Sequence, residues 1–81
     1  MVMDMYNVSK YNYQGKLVYE ENYLNGERNG IRTEWDEHNH KLLIEGEYLN
    51  DKLNGKAKQY YCGELKFEGE YLYGYKRKGR E

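Results

Sequence analysis

Hydrophobic and polar residues alternate along three stretches of the chain, and each stretch has the same order of residue types. A leucine is followed two positions later by an aromatic residue or isoleucine, and a tyrosine follows after four more. The three sets are Leu17, Tyr19 and Tyr23; Leu42, Ile44 and Tyr48; and Leu65, Phe67 and Tyr71. Alternation with a period of two is typical of a half-buried β-strand. The pattern predicts three strands that carry these residues on one face.

Turn residues follow these strands at matching positions. The segment from Asn25 to Gly30 matches the segment from Asn50 to Gly55, and a further glycine, Gly79, follows 24 residues later. Asn and Gly tolerate the positive φ angles that tight hairpin turns require. Because the pattern recurs at a nearly fixed period, it indicates a tandem repeat. Each unit is predicted to be a β-hairpin joined to the next by another tight turn.

The predicted strands cover about residues 8–13, 16–24, 31–36, 41–49, 55–61 and 64–72, and residues 73–81 hold a turn and the start of another strand. The repeat copies span about 15–38, 40–62 and 63–81, after a partial leading strand at 7–14. No apolar i, i+3, i+4 stripe favours a helix. The sequence therefore predicts one all-β domain over residues 1–81, an antiparallel meander of six to seven short strands in a single twisted sheet.

A single sheet of this kind leaves exposed a face that a second layer covers in most domains. Domains normally contain two packed layers, and unpaired edge strands can pair with another chain. We therefore expect the chain to complete itself with a protein partner, either a target protein or a second copy in a homodimer.

The repeat resembles the MORN family, whose unit reads aromatic, Glu-Gly-Glu-Tyr, Asn-Gly, Lys or Arg, and Gly. The segment Phe67-Glu68-Gly69-Glu70-Tyr71 matches this unit best, and residues 44–55 match it nearly as well. The first copy departs, with Glu21 in place of the Gly and Asn22 in place of the second Glu, and the last copy has Tyr75 and Lys76 in an expanded turn. The chain looks most similar to short bacterial antitoxin-like variants and to protist arrays. The resemblance implies a fold and an absence of catalysis.

Composition narrows the classes of function. The chain has 13 Lys and Arg against 14 Asp and Glu, a net charge of −1, which argues against general nucleic-acid binding. Cys62 is the single cysteine, so an internal disulfide is excluded and a cytoplasmic location is the simplest expectation. Residues 1–5 do not form a signal peptide, and no apolar run is long enough to span a bilayer.

Tyrosine dominates the candidate binding residues. Tyr and Trp provide contact area with little loss of side-chain entropy, so they anchor many protein interfaces. The predicted partner-binding residues are Tyr19, Tyr23, Trp35, Tyr48, Tyr60 and Tyr71. The same side chains also fit a structural role in the core, and in a one-layer sheet both roles can hold.

The histidines, the cysteine and the basic tail are the remaining candidates for a functional site. His38 and His40 lie in a polar turn with spacing that fits no recurrent zinc motif, so we predict no metal, cofactor or catalytic site. Cys62 is expected to be a turn residue. A basic tail contains Lys76, Arg77, Lys78 and Arg80. Such a cluster either keeps an edge strand soluble or contacts the phosphate of an anionic lipid.

The leading functional expectation is a small non-enzymatic interaction protein, an inhibitor or antitoxin-like factor. It would act by steric occlusion or β-edge pairing, against a toxin or a host defence enzyme when encoded by a phage or mobile element. The alternative is a membrane-associated scaffold that binds anionic phospholipid through the basic tail.

Overall fold

Antiparallel strands account for the regular structure of the protein. The computed structural model describes residues 4–80, with side chains described as far as Arg77. Its strands are β1 (Met5–Tyr11), β2 (Leu17–Leu24), β3 (Glu27–Arg28), β4 (Gly30–Trp35), β5 (Leu42–Leu49), β6 (Lys52–Tyr61), β7 (Glu64–Leu72) and β8 (Tyr75–Arg80). They form one sheet in the order β1-β2-β4-β5-β6-β7-β8, with the short β3 paired to β2.

The predicted all-β meander is confirmed, with two differences in strand count. The sheet has eight strands because the two-residue β3 precedes β4, and because β8 is a full strand of six residues. The first strand also begins at Met5, earlier than the alternation indicates.

Two-residue turns with positive φ at both positions explain how the strands reverse direction. This conformation matches the twist of paired strands, and Asn, Asp and Gly adopt it most readily. It occurs at Asn25–Gly26, Asn50–Asp51, Cys62–Gly63 and Tyr73–Gly74, where φ ranges from 50° to 88°. The expanded turn expected at Tyr75 and Lys76 is wrong: the turn closes at Tyr73–Gly74, and both residues belong to β8.

Successive units are tied together by backbone hydrogen bonds from turn residues. The amide of turn residue Asn25 donates to the carbonyl of Asp4 (2.8 Å). The amide of Asp51 donates to the carbonyl of Arg28 (3.1 Å) in the same way, and that of Gly74 to Leu53 (2.7 Å). Three of the four tight turns are therefore hydrogen-bonded to the preceding unit.

β-Bulges interrupt the alternation near the start of β2, β5 and β7. The register shifts between Lys10 and Tyr11, between Glu34 and Trp35, and between Gln59 and Tyr60. At each shift the partner strand has one extra residue, namely Val18, Leu43 or Lys66. The predicted uninterrupted alternation from Leu to the aromatic residue is wrong, because a bulge lies between them in every unit.

The sheet is one layer thick. Its Cα extents are 43 × 36 × 10 Å, and two packed sheets would alone be separated by about 10 Å. Among the described residues only three hydrophobic side chains are buried, those of Val18, Ala57 and Phe67. The hydrophobic core of the described residues is therefore small.

Candidate interaction surface

The strand register gathers the repeat tyrosines on one face of the sheet, here called the aromatic face. Two rows of larger side chains cross the strands: Tyr6, Tyr23, Tyr48 and Tyr71 in one, and Tyr19, Ile44 and Phe67 in the other. A central row between them contains Val8, Glu21, Arg32, Gly46, Ala57 and Gly69. The small residues at its β5–β7 end let the flanking side chains approach the backbone.

Leu53 covers the central row where it crosses β5. A Cβ atom built on Gly46 would lie 2.8 Å from the Leu53 Cδ2 atom and 3.5 Å from the Ala57 Cβ atom. The mid-strand glycine is therefore explained by a close approach of a neighbouring side chain, as expected for glycine within a strand.

Cations lie over the rings of the aromatic face. The Arg28 guanidinium is 5.9 Å from the Tyr48 ring centroid, and that of Arg32 is 5.1 Å from the centroid of Tyr19. The Lys76 ammonium lies 4.0 Å from the centroid of Phe67. Such contacts are electrostatically favourable because the ring face is electron-rich. The aromatic face is thus amphipathic, with charge distributed among the rings.

A buried carboxylate organises the β2–β4 end of this face. Glu21 accepts hydrogen bonds from Arg28 Nε (2.8 Å), Arg32 Nε (2.6 Å) and the Tyr23 hydroxyl (2.9 Å). Burial raises the pKa of Glu21, but these three hydrogen bonds outweigh it and hold the pKa below its ordinary value. Glu34 gives Arg32 a second carboxylate partner at 2.6 Å. In the first unit an ionic network therefore fills the space that Gly46 and Leu53 occupy in the second unit.

The opposite face, here called the charged face, carries acidic and basic residues next to each other on neighbouring strands. Glu45, Lys58 and Glu68 are neighbours in register on β5, β6 and β7, and Lys56 pairs with Glu70. Lys58 Nζ lies 3.6 Å from Glu68 Oε2. Cross-strand pairs of opposite charge stabilise a sheet by about 0.2–1 kcal/mol each.

The structure separates the predicted partner-binding residues into two groups. Tyr19, Tyr23, Tyr48 and Tyr71 are half-buried on the aromatic face. Trp35 and Tyr60 are also half-buried, but they lie at the bulges, and Trp35 stacks on His40 with centroids 5.9 Å apart.

Sequence reasoning did not identify Glu21, Arg28 and Arg32 as parts of this surface. The available signal was their spacing, since they lie 25 residues before Gly46, Leu53 and Ala57, so three charged residues replace three small or apolar ones together. It also did not single out Tyr73 and Tyr75, which are 61% and 78% exposed.

The structure describes the side chains of two residues of the basic tail, Lys76 and Arg77. Lys76 covers Phe67 on the aromatic face, whereas Arg77 is exposed beside Glu70 and Tyr71. The backbone positions of Lys78 and Arg80 pair with Glu70 and Glu68. The side chains of these last two cations lie outside the described residues.

The histidine turn and Cys62 are exposed. Asp36 Oδ1 accepts hydrogen bonds from the amides of His38 and Asn39, which fixes the turn and lowers the pKa of Asp36. In the part of the chain that the structure describes, no group of three or more His, Cys, Asp or Glu residues could hold a metal ion. That part also contains no helix with the length and apolarity to cross a bilayer.

Comparisons with protein-family models, curated proteins and solved structures find no match for this chain. The MORN resemblance therefore stays a prediction based on the repeated residues.

Proposed function

We propose that the chain is a MORN-type repeat protein that binds another protein through the aromatic face and the edges of its sheet. It would act in the cytoplasm as a non-enzymatic inhibitor or antitoxin-like factor, by occluding its target. The observation that supports protein binding is the exposed area. The chain exposes 6006 Å², whereas a compact protein of 9.8 kDa exposes about 5,200 Å². The excess of about 800 Å² equals one partner's share of a standard protein interface.

The aromatic face has the composition of a binding surface. Tyr and Arg are the residue types enriched at the energetic centres of interfaces. Here Tyr19 and Tyr48 are half-buried and held by Arg32 and Arg28, so little rotamer freedom remains to be lost on binding. The surface is therefore pre-organised.

The alternative, a scaffold on anionic lipid, rests on the basic tail. Clusters of about four to eight cations bind anionic membranes through their combined charge. Lys76 lies over the Phe67 ring, and the backbone positions of Lys78 and Arg80 pair with Glu70 and Glu68. Acidic residues so close to the cluster oppose an anionic surface, which favours a protein partner.

The test is capture of targets from lysate of the native host, with variants of each face as baits. The aromatic-face variant is Tyr48→Ala with Tyr71→Ala, and the matched control on the charged face is Ile31→Ala with Thr33→Ala. We expect a defined target that the control captures and the aromatic-face variant loses. Light scattering of the purified chain, alone and with that target, gives the stoichiometry and shows whether a homodimer forms. A monomer that captures nothing would refute the proposal, and a target that all three baits capture equally would refute the role of the aromatic face and leave the edges of the sheet as the binding surface.

A further inference from the structure

Two kinds of strand alternate across the sheet. β2, β5 and β7 contain the repeated glutamates, and we call them acidic strands. The longer strands that pair with the acidic strands in the sheet are here called return strands, and they are β1, β4, β6 and β8. Both edges of the sheet, β1 and β8, are return strands. The neighbour that would continue the pattern beyond either edge is therefore an acidic strand.

The internal strand β6 shows what surrounds a cationic return strand. Lys58 of β6 is in register with Glu45 of β5 on one side and with Glu68 of β7 on the other. Lys56 is in register with Glu70. Carboxylates thus flank Lys58 from both neighbouring strands and Lys56 from β7.

Strand β8 has the same charge pattern but is paired on one side. Its residues Lys78 and Arg80 are in register with Glu70 and Glu68 of β7. No strand among the described residues pairs with its outer edge. The backbone of β8 also offers an equivalent hydrogen-bond acceptor. Lys76 occupies the position of Arg28 and Leu53, whose carbonyls accept a hydrogen bond from a turn amide of the following unit.

The other edge lacks these cations. At the corresponding positions β1 has Asn7 and Ser9, in register with Asn22 and Glu20. Their polar groups hydrogen-bond to each other and to Asn22, at 3.2 and 3.1 Å. The two edges therefore differ in charge, although both carry exposed hydrophobic residues, Tyr75 on β8 and Met5, Tyr6 and Tyr11 on β1.

We propose that the outer edge of β8 binds an extended acidic strand of a partner protein, with carboxylates at alternate positions and a small residue between them, as in Glu68-Gly69-Glu70 of β7. The inference deepens the proposed protein-binding function and rests on it. Main-chain pairing would supply affinity, and the carboxylates would fix the register. A second copy does not fit, because β8 against β8 places cations opposite cations and β1 has no acidic residue.

The chain contains its own probe sequence, because β7 pairs with the edge of β6 that corresponds to the outer edge of β8. The experiment titrates a synthetic peptide of residues 63–72 into the isotopically labelled full chain and follows the backbone amides by NMR. Two further peptides carry Glu68→Gln with Glu70→Gln, or Glu68→Lys with Glu70→Lys. We expect saturable shifts in residues 75–80 and none in residues 5–11. The Gln peptide should bind roughly fivefold more weakly and the Lys peptide more weakly still. High salt should reduce these differences.

The peptide variants leave the protein unchanged, so a folding defect cannot cause the result. Equal binding of the Glu and Lys peptides, shifts confined to β1, or no shifts at about 1 mM peptide would overturn the inference. If the host target is captured but the peptide is not bound, the inference fails and the proposed function stands. If neither binds, both fail. Binding of anionic vesicles that the Glu peptide does not displace would assign β8 to lipid and overturn it as well.

Discussion

The Glu21 network allows a sharp test of the repeat architecture. Glu21, Arg28 and Arg32 occupy the positions of Gly46, Leu53 and Ala57 in the next unit. We predict that Glu21→Gly alone destabilises the chain, and that adding Arg28→Leu and Arg32→Ala restores most of the loss. The triple variant would copy into the first unit the packing in which Leu53 covers Gly46.

The magnitude follows from the contacts. The side chain of Glu21 is 4% exposed, and removing one partner of a buried ion pair typically costs about 3–5 kcal/mol. Arg28 is 40% exposed, and Arg32 keeps Glu34 as a partner, so the loss is smaller here. We expect roughly 2–3 kcal/mol for Glu21→Gly, against a total stability of about 4–12 kcal/mol for a chain of this length. Replacement of a whole buried ion pair by apolar packing is often neutral, so the triple variant should lie within about 1 kcal/mol of wild type.

Urea unfolding followed by circular dichroism and Trp35 fluorescence measures both values. Glu21→Gln serves as the control that keeps the side-chain volume and removes the charge, and it should lose somewhat less than Glu21→Gly. The reasoning is refuted if Glu21→Gly unfolds at the wild-type urea concentration, or if the triple variant is no more stable than that single variant. The first outcome would mean that the network contributes nothing, and the second that the units are not interchangeable.

Three further predictions use the same unfolding assay. Because the folded-state pKa of Glu21 lies below its ordinary 4.5, the advantage of wild type over Glu21→Gln should be constant above pH 4.5 and shrink as the pH falls below it; an advantage independent of pH would contradict this. Gly55→Ala should destabilise by roughly 2–3 kcal/mol, since φ is 113° and the new Cβ would meet the Glu47 carboxylate. Gly46→Ala is its control and should change stability by less than about 1 kcal/mol, because the Leu53 side chain can move; equal effects would exclude backbone strain as the cause. Tyr73→Asn should stabilise by about 0.5–1 kcal/mol, because Asn tolerates the φ of 50° better than Tyr; Tyr75→Asn, outside the turn, should not.

Local patterns were sufficient to predict the sheet. Alternation at Ile44 to Tyr48 and at Phe67 to Tyr71 defines strands because side chains on a strand point to opposite faces. Asn25-Gly26 defines a hairpin turn through its φ preferences. The order of the strands then follows from short connections between neighbours.

Features that depend on contacts between strands were not predictable in this way. The bulge at Val18 adds a residue without changing the residue types, so the alternation does not reveal it. The turn predicted within residues 73–81 was placed at Tyr75 and Lys76 instead of Tyr73–Gly74, because a bulky residue such as Tyr73 rarely adopts positive φ. The positions of Arg28 and Arg32 over tyrosine rings depend on the register of three strands, which only the folded sheet provides.

The meander also determines how far apart in the chain the paired residues are. The most widely separated register pair among the described strands is Met5 with Leu24, a distance of 19 residues. Every pairing is therefore closed by a short loop, unlike the distant pairings that slow the folding of most all-β domains. We expect the chain to fold quickly for a β protein, and to be able to start from whichever hairpin forms first.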